Sequence, residues 1–137
     1  MGTRFLIDSN AVVDLLDGKL PPASAAWLQA IVQAGNHVLS VINRIEILSP
    51  QLLPAERQQF EDFLRATLVV DLPEAVVLET IRIRQLHKRK LPDAVIAATA
   101  LVFGLPLITR NVADFKAISG LTVIDPHDPI NLPSLAE

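Results

Sequence analysis

Short, continuous apolar stretches alternate with longer stretches of helical periodicity along this chain. The short stretches are RFLI, HVLSV, TLVVDL, PLIT and LTVID, which begin at residues 4, 37, 67, 106 and 121. Continuous rather than alternating hydrophobicity over so few residues is typical of strands buried on both faces of a sheet. The longer stretches carry prolines and glycines near their ends, where helices start and stop. The pattern therefore predicts strands separated by helices.

This alternation predicts an α/β fold in which helices lie on both sides of a parallel sheet. A chain of 137 residues can form one domain with a sizeable core, so we expect a single domain over residues 1–137. A proline-containing tail from about residue 126 shows no clear helix or strand. In open parallel sheets, ligands bind beyond the carboxyl ends of the strands. Candidate site residues are therefore sought at that edge.

Acidic residues stand near the predicted carboxyl ends of the strands. Asp8 follows the first strand directly, and Glu46 follows the second by about one helical turn. Asp93 opens the apolar helix before the fourth strand, and Asp114 follows that strand after a short loop. Each acid also has a plain structural explanation, as a helix cap, a first-turn acid, a solvated helix residue or a turn residue. Independent caps need not share one edge of the sheet, so we interpret the four acids as a candidate site.

Four converging carboxylates would restrict the chemistry of such a site. Like charges raise each other's pKa, so the group needs a cation to stay ionised. Carboxylate oxygens are hard ligands that suit Mg²⁺ or Mn²⁺, and such a metal can activate water and stabilise charge on phosphorus. The pattern therefore predicts metal-assisted phosphodiester hydrolysis. Neutral polar side chains beside the acids can cap helices, or can hold carboxylates and metal-bound waters in place; they are Ser9, Asn10, Thr109 and Asn111.

Composition limits the functions and the cellular location that the chain can have. The chain has 12 basic and 15 acidic residues, a net charge of −3 and no cysteine. A protein with this charge balance can bind nucleic acid only through a local basic patch. The segment RIRQLHKRK (82–90), expected to form the last turns of a helix, supplies such a patch. The lack of cysteine excludes disulfides, thiolate metal sites and thiol catalysis. The long uncharged runs are too short or too interrupted to span a membrane, so we expect a cytoplasmic protein without a secretory signal.

Four motifs, LIDSNAVVDLL, SVINRIEIL, LPDAVIAATAL and LITRNVADF, occur in this order along nearly the whole chain. Together they resemble the PIN-domain family, particularly the VapC-type ribonuclease toxins. The resemblance implies a Rossmann-like three-layer sandwich with a central, mainly parallel five-stranded sheet. It also implies an endoribonuclease dependent on Mg²⁺ or Mn²⁺, a homodimer, and a small cognate antitoxin that holds the toxin inactive. The family's catalytic, metal-binding acids then fall on Asp8, Glu46, Asp93 and Asp114.

Cations near these acids are candidates for contacts with RNA. NRIE precedes the second acid where many PIN relatives have threonine or alanine, so Arg44 can contact a phosphate or pair with an acid. Arg110 lies inside the motif of the fourth acid and is the strongest single candidate. The complete set is Arg44, Lys88, Arg89, Lys90 and Arg110. The three histidines are scattered and receive no catalytic role.

Other readings of an α/β sheet with an aspartate after the first strand fit less well. A phosphatase of the phosphoaspartyl type needs a second acid where Asn10 stands, and a receiver domain usually has a lysine where Arg110 stands. Nucleotide binding would need a glycine-rich phosphate loop, and the five glycines do not cluster. A catalytically silent PIN-like module that binds protein or RNA remains the alternative. Dependence of RNA cleavage on a divalent metal distinguishes an enzyme from such a module.

Overall fold

The computed structural model describes residues 2–135 and contains five strands and seven helices within that range. The strands are β1 (Phe5–Ile7), β2 (His37–Ser40), β3 (Leu68–Val70), β4 (Leu107–Ile108) and β5 (Val123–Ile124). The helices are α1 (Ser9–Leu16), α2 (Pro22–Gln33), α3 (Val41–Leu48), α4 (Pro54–Arg65), α5 (Glu74–Leu86), α6 (Leu91–Phe103) and α7 (Val112–Phe115). The predicted α/β class and the five strands are confirmed.

All strands are parallel and form one sheet in the order β3-β2-β1-β4-β5. The chain runs from β1 to β2 and β3 on one side, and then crosses to β4 and β5 on the other. The order therefore reverses at β1, and the crevice outside the carboxyl ends of β1 and β4 is a topological switch point, the usual ligand position in open α/β sheets.

Helices cover both faces of the sheet. In β1, Phe5 and Ile7 point into a core formed with α1, α2, α3 and α4. Leu6 points to the opposite face, into a second core formed with α5, α6 and α7. Burial on both sides explains why the strands are continuously apolar. The three-layer arrangement inferred from the resemblance to PIN domains is confirmed.

The basic segment was predicted to form the last turns of α5, and this prediction is wrong for residues 87–90. The helix ends at Leu86, and His87 is extended, with φ −134° and ψ 144°. Residues 88–90 form a short connector, and Lys90 is the N-cap residue of α6, which has Pro92 in its first turn. Proline favours a helix start at this point and disfavours continuation of the preceding helix. The cations therefore lie between two helices rather than in a helical turn.

The tail after β5 contains no helix or strand within residues 126–135, as predicted. It nevertheless packs on the domain, because Trp27 Nε1 donates a 2.8 Å hydrogen bond to the carbonyl of Pro133 and Leu132 lies against the first core. No helix within residues 2–135 has the length and apolarity required to cross a membrane.

Candidate active site

Asp8 lies at the switch point, immediately after β1. Its backbone is extended and its side chain caps α1, since Oδ1 accepts a 2.8 Å hydrogen bond from the backbone N–H of Ser9. Thr109, which follows the neighbouring β4, donates a 2.8 Å hydrogen bond from Oγ1 to Oδ2 of Asp8. Asn10 Nδ2 lies 3.4 Å from the same oxygen and 3.3 Å from Thr109 Oγ1. Asp8 is thus both a helix cap and a buried carboxylate of the crevice, with 7% of its surface exposed.

Glu46 is tied to Asp8 through α3. Ser9 Oγ donates a 2.7 Å hydrogen bond to Glu46 Oε1 and accepts one of 3.0 Å from Asn43 Nδ2. The same amide nitrogen lies 3.4 Å from Asp8 Oδ1, and Asn43 Oδ1 accepts a 2.9 Å bond from the backbone N–H of Ser40. Asn43 therefore caps α3 and connects it to the first acid.

Asn43 was not among the predicted site residues, although the sequence contains two signals for it. Ser40 and Asn43 have the spacing of a capping box, and Asn43 precedes Glu46 by one helical turn, which places both on the same side of α3. Its side chain is fully buried. A buried amide at the start of a short helix beside an acid is therefore a recognisable candidate for positioning that acid.

Asp93 lies in the first turn of α6, partly buried. Burial raises the pKa of Asp93 above its ordinary value of 3.8, and the negative charges of Asp8 and Asp114 raise it further. Burial likewise raises the pKa of Asp8, to which the charge of Glu46 adds, while hydrogen bonds from Thr109, Ser9 and Asn43 oppose the shift. These interactions link Glu46 to Asp8, Asp8 to Asp93, and Asp93 to Asp114. The four acids thus share one local field, although Glu46 and Asp114 are exposed.

The donor set fits a hard divalent cation. The oxygens of the four acids and of Ser9, Asn10 and Thr109 are the ligand type that Mg²⁺ prefers. A cation would offset the burial and the charge repulsion that raise the pKa values of Asp8 and Asp93. Within residues 2–135, no three Asp, Glu or His side chains lie close enough together to form a ready-made metal cluster. Mg²⁺ commonly binds through only one or two carboxylates and keeps several waters, so Asp8 and Asp93 can hold it with the remaining acids acting through water.

Two of the expected RNA-binding cations lie beside the acids. The positive charges of Lys90 and Arg89 act on Asp93 and oppose the rise of its pKa. Lys88 belongs to the same connector and is exposed.

Arg44 lies apart from the acids. It lines a separate depression of about 400 Å³ together with Glu61 and Arg65. Residues two apart in a helix point about 200° apart, so the turn that directs Glu46 to the acids directs Arg44 away from them. Its role in RNA binding stays a prediction without support from its position.

Thr109 also organises the segment that follows β4. Its Oγ1 accepts a 3.1 Å hydrogen bond from the backbone N–H of Asn111, and the backbone N–H of Arg110 donates a 3.0 Å bond to Asn10 Oδ1. Asn111 therefore contacts the site through its backbone, and its side chain forms no cap on α7. Arg110 is exposed at the edge of the crevice.

Fold and crevice together define a Rossmann-like α/β protein with acidic side chains around its switch point. The sequence profile of the PIN domain matches residues 5–121. The chain therefore belongs to the PIN-domain family. A comparison with curated protein sequences gives no match.

Solved structures agree with this assignment. A toxin–antitoxin complex from Klebsiella pneumoniae contains a chain 31% identical to this one, with a TM-score of 0.71, covering 89% of this chain and 97% of that chain. DNA-bound VapBC from Salmonella typhimurium is 22% identical, with a TM-score of 0.79 and coverages of 90% and 98%. VapBC-1 from nontypeable Haemophilus influenzae is 22% identical, with a TM-score of 0.75 and coverages of 92% and 100%. The last two likenesses show the fold alone.

Proposed function

We propose that this PIN-domain protein is an endoribonuclease that hydrolyses RNA phosphodiester bonds with the help of Mg²⁺ or Mn²⁺. The observation that carries the proposal is the convergence of acids at the switch point of the sheet: Ser9 joins Glu46 to the helix that Asp8 caps, and the charges of Asp8 and Asp114 act on Asp93. Burial and the neighbouring negative charges raise the pKa of Asp8 and of Asp93, so holding these acids together costs free energy at neutral pH. A divalent cation removes this penalty and turns the same arrangement into a site for phosphate.

Each part of the site has a distinct role in this proposal. Asp8 is held by donors on both carboxylate oxygens, so its orientation is set before any ligand arrives. Asp93 approaches from the start of α6, and Ser9 orients Glu46 from the opposite side. When bound, the cation supplies an activated water and stabilises charge on the phosphate. Arg89 and Lys90 attract the RNA backbone towards Asp93, and their contribution falls as salt rises.

We further propose that the protein is the toxin of a toxin–antitoxin pair and acts in the cytoplasm. Its support is the Klebsiella chain, which was solved as part of a toxin–antitoxin complex and matches this chain over 89% of its length. The predicted partners are RNA as substrate, a small antitoxin that covers the acids, and a second copy of the chain in a homodimer. Co-expression with a short gene adjacent to this one should relieve any growth arrest that the protein causes.

Cleavage of RNA by the purified protein tests the enzymatic proposal. Activity should require Mg²⁺ or Mn²⁺ and stop on chelation, and Asp8→Asn or Asp93→Asn should abolish it. Asp62→Asn is a matched control, because Asp62 is an exposed acid paired with Arg65 on α4. Thermal unfolding in chelator shows that the variants fold, and Asp93→Asn should be at least as stable as the wild type since it removes a repelled charge. Full cleavage by both Asn variants would refute the proposal; RNA binding without cleavage under any metal would favour the silent binding module.

A further inference from the structure

A second charged cluster, centred on Asp14 of α1, borders the groove that Ser9 and Glu46 also line. Asp14 is almost completely buried, with 4% of its side chain exposed. Arg110 Nη1 lies 3.3 Å from Asp14 Oδ1 and 3.1 Å from Oδ2, and His127 Nε2 lies 2.8 Å from Oδ2. The three residues come from α1, from the segment after β4 and from the tail. A buried carboxylate is costly without such partners, so the contacts fix all three side chains together.

Arg110 has hydrogen-bonding capacity left after this contact. Its side chain is 53% exposed, and only Nη1 is used by Asp14. Among residues 2–135, Nε and Nη2 of Arg110 form no hydrogen bond. Arg110 also lines a groove of about 400 Å³ whose wall includes Ser9, Asn10 and Glu46. The free donors of a guanidinium beside a phosphodiester site match the geometry of a phosphate.

Anchoring also solves an electrostatic problem. An arginine free to move near four carboxylates would pair with them, since opposite charges attract strongly in a partly buried crevice. Such a pair would occupy oxygens that a metal needs. Asp14 pairs with the Arg110 guanidinium at 3.1 Å, and the 3.0 Å bond from the Arg110 backbone N–H to Asn10 Oδ1 fixes the start of the arginine side chain. The guanidinium is thereby kept at the wall of the groove.

We infer that Asp14 is a positioning residue which, together with His127, holds Arg110 as a binding group for an RNA phosphate flanking the scissile one. The inference rests on the proposed function, since it assigns the way in which the substrate of that site is held. It also gives the tail a function, because His127 connects the segment after β5 to the groove.

Binding and cleavage of RNA by Asp14→Asn test this inference. Asparagine has nearly the same shape but lacks the charge that anchors Arg110. We expect KM to rise about tenfold, as for the loss of one charge-assisted contact. We also expect kcat to fall, because the released guanidinium can pair with the acids. The salt dependence of binding should become shallower by about one phosphate contact. Arg110→Gln should raise KM in the same way but without the loss in kcat, because glutamine has no charge that pairs with the acids. Asp62→Asn, which alters an exposed ion pair, is the control.

A double-mutant cycle separates positioning from simple structural support. If Asp14 acts through Arg110, Asp14→Asn should add little in the Arg110→Gln background. Additive losses, or a lower melting temperature with unchanged KM and salt dependence, would overturn the inference. The RNA-binding measurement is repeated in the Asp93→Asn protein, which is expected to be inactive, so that the inference about Asp14 is tested independently of the proposed nuclease function. RNA affinity that falls with Asp14→Asn supports the inference even if cleavage is never observed, whereas unchanged affinity beside normal cleavage removes the inference alone.

Discussion

Replacement of Asn43 by alanine tests how the start of α3 is joined to the acids. The side chain is fully buried and makes three contacts: 2.9 Å from the Ser40 backbone N–H, 3.0 Å from Ser9 Oγ and 3.4 Å from Asp8 Oδ1. Alanine removes all of them at once. It leaves the backbone N–H of Ser40, at the start of α3, without a partner. It also removes a hydrogen bond that lowers the pKa of Asp8. Stability and activity should therefore both change.

The size of the stability change follows from these contacts. An unpaired buried N–H costs about 1–3 kcal/mol, and the bond to Ser9 contributes about 1 kcal/mol. The 3.4 Å contact with Asp8 exceeds the usual hydrogen-bond distance and adds little. We therefore expect Asn43→Ala to lower the free energy of unfolding by about 2–4 kcal/mol, which lowers the melting temperature of a domain of this size by about 10 °C. The protein should still fold at room temperature.

Ser40→Ala is the matched control. Ser40 is also fully buried and caps the same helix, since its Oγ accepts a 3.1 Å bond from the backbone N–H of Ile42. Its loss should cost about 1 kcal/mol and leave the amide donors of Asn43 in place. In urea denaturation both variants should be destabilised. In RNA cleavage at a temperature where both are folded, Ser40→Ala should keep its kcat, and Asn43→Ala should lose about tenfold and need more Mn²⁺. Equal activity per folded molecule would refute the positioning role of Asn43.

Three further predictions concern other parts of the structure. Thr109→Val removes the hydroxyl that donates a 2.8 Å hydrogen bond to Asp8, so the pKa of Asp8 should rise and the acid limb of the pH–rate profile should move to higher pH. If the acid limb does not move, it does not report the ionisation of Asp8. Burial lowers the pKa of His37 below its ordinary value of 6.5. The stability that neutral His37 contributes is therefore present above pH 6.5 and is lost as pH falls through the lower, folded-state pKa. Urea denaturation at several pH values should show that the free energy of unfolding falls less steeply towards acid pH in His37→Asn than in the wild type. Gly104→Ala should cost about 1 kcal/mol of stability without changing kcat, because Gly104 ends α6 at φ +65° with no atom within 4 Å of an added Cβ; an unchanged melting temperature would contradict this.

The fold was predictable because the strands are buried on both faces. Continuous apolar stretches located all five strands, and the rule for the carboxyl edge of a parallel sheet led to the acids. The assignment of Asp8, Glu46, Asp93 and Asp114 as catalytic residues stays a prediction. Their shared field at one edge supports it.

What the sequence did not reveal depends on side-chain direction and long-range pairing. Arg44 and Glu46 are two residues apart, and only the rotation of α3, set by its cap, shows that one faces away from the acids while the other faces them. Asp14 looks like an ordinary surface acid of α1, because its partners lie 96 and 113 residues further along the chain. The connector with Lys88 was predicted to be helical because favourable basic residues at a helix end outweighed the effect of the following proline.

Two acids of the site, Asp8 and Asp93, lower the stability of the fold, and the direction of their pKa shifts shows in which pH range they do so. Asp8 and Asp93 have raised pKa values in the folded protein, so the folded state holds their protons more tightly than the unfolded state does. Their favourable contribution is complete below the ordinary pKa of 3.8 and is lost as pH rises through the folded values, which leaves both acids destabilising at neutral pH. A bound cation reverses this by favouring the charged forms. If the proposed metal-dependent hydrolysis takes place here, binding of the metal offsets this cost, and Asp93 lies at the apolar start of α6 because it serves that site rather than stability.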